Sequence, residues 1–236
     1  MKSIQIKGTI VSDDDQWIYD WFGIAAVSPK CVKNQLKDAE NDEITVEVNS
    51  GGGDVFAGSE IYYILNQYSN NVTIDIVGFA GSAATIISCA GDKVRMSPTA
   101  MYMIHNVSGI ASGDYNVMDK NSQILKTANK SICNAYRIKT GMSQEEILNL
   151  MNEETWLDPE AAKEKGFIDE IINMEDNPQN KAKAALYNAH FVNVLSEEVK
   201  EKIRNTVKKP ENEPLKNKNS MAFYNAKLNL LELEGR

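Results

Sequence analysis

At 236 residues and 42% apolar content, the chain can bury one large core or two small ones, which excludes wholesale disorder. A formal net charge of -8 argues against nucleic acid as the main partner, because phosphate binding needs a basic surface. No apolar run reaches the roughly 18 residues that a membrane span needs, and the first residues, Met1 to Lys7, alternate instead of forming a secretory apolar stretch. Cys31, Cys89 and Cys133 are well separated and form neither a CxxC nor a metal-ligand spacing. Cys89 and Cys133 lie in apolar helical patterns, as small core residues do. No metal or cofactor is expected, and a reducing cytoplasm is the expected compartment.

In chain order, Ile4 to Val11 alternates like a strand. Ser28-Pro29 is a cap followed by proline at the first helical position, so a helix should run to about Ala39. Ile44 to Val48 is a short β-branched strand ending at Asn49-Ser50-Gly51-Gly52-Gly53. Asp54 can cap the next helix, whose Ile61, Tyr62, Leu65 and Tyr68 recur at helical spacing. Val72 to Val77 reads as strand, Ser82 to Ala90 as helix, and Lys93 to Met96 and Met101 to Ile104 as two short strands around Pro98. A long helix spans about Gly113 to Lys139, with Val117, Ile124, Ala128, Ile132 and Ala135 on one side and Gly141 as its stop. Ser143 and Glu146 form a capping-box pattern for a shorter helix. Pro159 to Lys165 is a last helix, ended by Gly166, before a strand at Phe167 to Ile172. Strands alternating with helices predict an α/β domain with largely parallel pairing.

The composition changes after about Asn173, where Asn, Lys, Glu and Pro dominate. One weak amphipathic helix is expected there, capped by Ser196 and carrying Val199, Ile203 and Val207. A second is expected after Ser220, with Phe223, Leu228 and Leu231 apolar. This division predicts a domain over 1–173 and a polar, flexible tail over 174–236.

Three features carry chemistry. Gly81-Ser82-Ala83-Ala84 places a serine at the mouth of a small-residue helix, where the Ala83 N–H is free to donate and the helix dipole favours negative charge. Serine is a weak nucleophile that needs a base within hydrogen-bonding reach. The same serine also suits a plain N-cap. His105, at the end of an apolar strand and before a Gly/Ser-rich loop, is the candidate base, whereas His190 sits in the polar tail. Gly52 and Gly53 lie in a turn that glycine's conformational freedom permits. The Gly-Lys-Ser/Thr ending of a phosphate-binding loop is missing, so their N–H groups better suit the oxygen of a tetrahedral intermediate.

These segments resemble the ClpP serine peptidases. Asn49-Ser-Gly-Gly-Gly-Asp-Val-Phe-Ala-Gly58 resembles the family's N-S-P-G-G-x-x-x-A-G loop. Gly78 to Ala84 resembles its nucleophile segment G-x-A-x-S-x-x, and Met103-Ile104-His105 its M-I-H. Ala161 to Gly166 and Asp169 resemble its closing E-A-x-x-x-G-L-V-D, with Ala161 in the place of the glutamate. The resemblance spans about Ile4 to Ile172 in order. It implies a ClpP/crotonase-like spiral of ββα units with a long handle helix, a Ser–His–acid triad and a homo-oligomeric ring, heptameric or stacked, enclosing the sites. Ser82 and His105 take the nucleophile and base positions, and Gly52 or Gly53 with Ala83 the oxyanion positions. The glycine loop would bind peptide by strand addition.

The pattern departs at the acid, where Glu154-Thr155-Trp156 replaces an aspartate two residues before an aromatic, so Glu154 takes the third position with Glu153 and Asp158 as rivals. Gly51 replaces the loop proline, and Asn106-Val107 replaces a Gln-Pro. Together with the polar tail, these departures resemble the phage branch of prohead or head-maturation proteases. Its members act on capsid or scaffold precursors in the host cytoplasm, inside the procapsid, without an unfoldase. The alternatives are a housekeeping ClpP fed by an ATP-driven ring, a crotonase-type acyl-CoA enzyme, and a structural ring protein with a degenerate triad.

Overall fold

A computed structural model of the chain describes residues 2–39, 42–173 and 195–206. Three parallel strands form its spine: β1 (Lys2–Ile10), β3 (Ile44–Gly53) and β4 (Val72–Gly81). Ile4 stands opposite Val46, which stands opposite Ile74. Successive side chains of a strand face opposite sides, so Ile44, Val46, Val48 and Ser50 are buried while the residues between them are half-buried.

The sheet divides at β4. Thr73 to Ile76 pair with β5 (Lys93–Met96), whereas Phe79 to Gly81 pair with β6 (Met101–Ile104). β7 (Thr155–Leu157) joins β6 antiparallel, β8 (Glu170–Ile171) joins β5, and β2 (Ala26–Val27) extends the other edge beside β1. The main path runs β2-β1-β3-β4-β5-β8, with β6 and β7 branching from it. The mixed α/β architecture with largely parallel pairing that the sequence predicts is present.

Helices connect the strands, and those after Ser28, Asp54 and Ser143 begin at their expected caps. Ser28 accepts from the Cys31 N–H at 3.4 Å to open α2 (Pro29–Lys37), and Asp54 accepts from Ala57 at 2.7 Å to open α3 (Val55–Asn66). The reciprocal Ser143–Glu146 box opens α6 (Gln144–Asn152), and Asp158 caps α7 (Pro159–Glu164) at 2.8 Å. Each such cap typically contributes about 1 kcal/mol. α4 (Ala83–Ser88) is one and a half turns of wholly buried residues under the sheet's branch point.

α5 (Tyr115–Thr140) runs 26 residues, about 39 Å at 1.5 Å per residue, and so outreaches the core. Its second half buries Ile132, Cys133, Ala135 and Tyr136, while Val117 and Ile124 on the expected apolar line stay 38% and 53% exposed. Tyr102, Tyr136 and Phe167 lock that end to the sheet, with ring centroids 5.2 and 6.0 Å from Phe167.

Three elements are absent from the sequence expectation: α1 (Gln16–Phe22), β2 and β7. The last expected strand shrinks to Glu170–Ile171, because Phe167 and Ile168 turn into the core. The helix expected after Ser196 forms as α8 (Glu197–Thr206), and the Val199 N–H donates to Ser196 Oγ at 3.4 Å. It packs on α1: Leu195, Val199 and Ile203 share a small apolar cluster with Val11, Ile18 and Tyr19. Asp15, largely buried, holds Lys200 at 3.0 Å and also contacts Arg204. Val207, His190 and the helix expected after Ser220 lie outside the described residues.

Candidate active site

Ser82 sits where β4 ends and α4 begins, with φ 53° and ψ -123°, a conformation that L-residues rarely adopt. Such backbone costs roughly 1–3 kcal/mol and persists only when its surroundings enforce it. Here they do. The Ser82 N–H donates to the Met103 carbonyl at 2.9 Å, and the Ser82 carbonyl accepts from the Thr85 N–H at 2.9 Å and from Thr85 Oγ1 at 2.5 Å. Thr85 Oγ1 is itself 2.7 Å from the buried Tyr136 hydroxyl. The Ser82 side chain makes no cap bond to α4; its Oγ lies 2.7 Å from His105 Nε2. The hydroxyl is therefore turned to the imidazole, and the plain N-cap alternative does not describe it.

His105 is the first residue beyond β6, half-buried, and β6 lies on β4 with Met103 beside Gly81. The pairing of these two strands is what carries the imidazole to the hydroxyl.

The two loop glycines serve different ends. Gly52, at φ 98°, leaves no room for a side chain: a Cβ there would come within 2.7 Å of Ser82 Cβ and 2.9 Å of the Ala83 nitrogen. Its N–H is committed to Ser50 Oγ at 3.1 Å. A Cβ on Gly53 would lie 2.1 Å from the Ile10 carbonyl oxygen, so glycine is required there by the close approach of β1. Gly53 and Ala83, with Ser82 and His105, line a cavity of about 240 Å³ whose apolar floor includes Ile86, Ile132 and Tyr136.

Glu154 lies at φ 49° just before β7, and its Oε1 accepts from Trp156 Nε1 at 3.3 Å. The Trp156 ring stacks on Phe79 with 5.6 Å between centroids. Asp158 is engaged as the α7 cap, and Glu153 stands at the C-terminal end of α6. Among the described residues no carboxylate is hydrogen-bonded to His105. The β6–β7 pairing ends at Ile104 with Thr155, so His105 and Glu154 are each the next residue beyond the ladder. Among the described residues no group of three His, Cys, Asp or Glu is placed to hold a metal, and no helix is long and apolar enough to cross a membrane.

Comparison with known proteins gives this geometry its context. The family described as Clp protease matches residues 32–175. The chain belongs to the Clp protease family. Similar curated proteins include the ATP-dependent Clp protease proteolytic subunit of Deinococcus radiodurans, 30% identical over 142 residues, covering 58% of this chain and 70% of that protein. The corresponding subunit of Bacteroides fragilis is 29% identical over 132 residues, covering 55% and 64%. Subunit 2 of Thermobifida fusca is 30% identical over 138 residues, covering 58% and 68%. The mixed α/β fold with its parallel sheet agrees with that of Clp proteases, and β1, α1, β2 and α8 lie outside the matched residues.

Some residues that shape this Clp-type site escaped the sequence reading. Thr85 and Tyr136 support the strained serine, and Asn106, Asn129 and Asn152 meet beside His105. A hydroxyl three residues after the serine was a local signal for Thr85. The asparagines come from three separate segments, and only the fold unites them.

Proposed function

We propose that the chain is a serine endopeptidase of ClpP type, with Ser82 as nucleophile and His105 as base. The observation that carries this reading is the 2.7 Å contact between Ser82 Oγ and His105 Nε2, made by a hydroxyl that caps nothing. His105 takes the hydroxyl proton as Oγ attacks a peptide carbonyl, then returns it to the leaving amine; water hydrolyses the acyl-serine by the same steps. The N–H groups of Gly53 and Ala83 receive the oxyanion, Gly52 having spent its own on Ser50. Glu154 is the orienting acid in this proposal. Supporting it over its rivals, Glu154 directly precedes the strand that pairs with β6, while Asp158 is held on its cap.

The apolar floor of the cavity suits an apolar substrate side chain, and the glycine loop offers its edge to an extended peptide. In this proposal the chain works as a homo-oligomeric ring, heptameric or stacked, on capsid or scaffold precursors during phage head maturation. Supporting that role are Glu154-Thr155-Trp156, Gly51 in place of proline, Asn106-Val107, and the polar region after residue 173. A second reading, a housekeeping subunit fed by an ATP-driven unfoldase, draws support from the names of the relatives. Domain 1–173 carries the chemistry in either case.

The test is labelling of the full chain by a fluorophosphonate, together with cleavage of a capsid or scaffold precursor offered with and without an ATP-driven unfoldase. Labelling and cleavage are expected to vanish in Ser82→Ala with assembly intact. Cleavage that persists in Ser82→Ala refutes the nucleophile, and cleavage only with the unfoldase selects the second reading.

A further inference from the structure

We propose that Asn129 is a positioning residue for His105, acting through Asn106 and Val107; this rests on the peptidase reading for its consequence but not for its geometry. After Ile104 the chain leaves β6, and the residues from His105 to Ser112 belong to no helix or strand. An imidazole on the first residue of such a segment needs an anchor beyond it. The anchor is a chain of hydrogen bonds among side-chain amides and one backbone N–H. Asn129, on α5, accepts from the Val107 N–H through Oδ1 and donates from Nδ2 to Asn106 Oδ1, both at 2.8 Å. Asn106 Nδ2 in turn donates to Asn152 Oδ1 on α6, again at 2.8 Å.

The set is consistent in one sense only. Rotating the Asn129 amide by half a turn would face its NH₂ to the Val107 N–H and its oxygen to Asn106 Oδ1, two repulsive contacts. The two residues after His105 are thus tied to two helices, one by side chain and backbone together. Asn106 and Asn129 are half-buried and Asn152 is exposed. Hydrogen bonds so close to water add little net stability, so their effect falls on geometry. α6 ends two residues before Glu154, so Asn152 ties the neighbour of His105 to the helix end that precedes the acid candidate.

The test uses the full chain carrying His190→Gln, which leaves His105 as the only imidazole, with ¹³C-labelled histidine followed by NMR. Adding Asn129→Ala is expected to shift or broaden the imidazole signals. It is also expected to lower kcat by about ten- to a hundredfold, with KM within twofold, as a misplaced base does. Asn129→Asp keeps the acceptor for Val107 but sets a carboxylate oxygen against Asn106 Oδ1, so it should not restore the parent kcat. Superimposable imidazole signals with kcat within twofold of the parent would overturn the proposal. Should the parent itself cleave no peptide, the peptidase reading fails, and the imidazole signals alone decide the placement of His105.

Discussion

The sheet around Ser82 and the annex made by α1 and α8 bury their side chains by different means. The sheet's core runs from β1 to Ile168 and is nearly all aliphatic and aromatic, held by packing and not by charge. The annex has six buried apolar residues, and its largest polar feature is the fork from Asp15 to Lys200 and Arg204. Asp15 stands at the N-cap of α1 but makes no cap bond there, because its carboxylate faces α8. The core lies mostly within the residues shared with Clp proteases, and the annex wholly outside them. The two meet at β1, where Ile10 pairs with Gly53 and Val11 enters the annex.

This contrast can be broken at either end. Phe167→Ala removes a fully buried ring touching Tyr102 and Tyr136, and should cost about 3–5 kcal/mol of global stability in chemical denaturation. A loss under 1 kcal/mol would show the core to be looser than its packing. Asp15→Ala leaves Lys200 buried without its carboxylate. The penalty should fall below the ~3–5 kcal/mol of a fully buried unpaired charge, since Arg204 keeps contact with water. Hydrogen exchange should then rise in 197–206 while the main unfolding transition stays in place; an equal drop in that transition would merge the two regions into one.

The smallest effect is that of acid. Burial pushes the Asp15 carboxyl up, but Lys200 and Arg204 outweigh it and hold the group below its ordinary value of 3.8. A lowered carboxyl stabilises the docked helix above pH 3.8, and that contribution is lost as pH falls through the lowered value. Faster exchange in 197–206 on acidification, ahead of the core, is the expected outcome, and Asp15→Ala should abolish the difference.

How far the sequence could be read followed how local each signal was. Ser28, Asp54 and Ser143 act within three residues of themselves, and the helices they open begin where expected or within a residue. The strands Lys93–Met96 and Met101–Ile104 were likewise legible as short runs on either side of Pro98. α1 escaped because its start has no side-chain cap and its aromatic residues fall on several sides. β7 is three residues long and exists by pairing with β6, a partner far away in sequence. At the site, the contact of Ser82 with His105 was legible from two short motifs. The turning of Glu154 to Trp156 was not, because it depends on where Phe79 places the indole.

The forked pairing of β4 makes the site a product of sheet assembly. Hydroxyl and imidazole sit on neighbouring strand ends, and the ladder of Phe79 to Gly81 with Met101 to Met103 holds those ends side by side. Whatever loosens that short ladder misaligns both groups at once, with neither side chain altered.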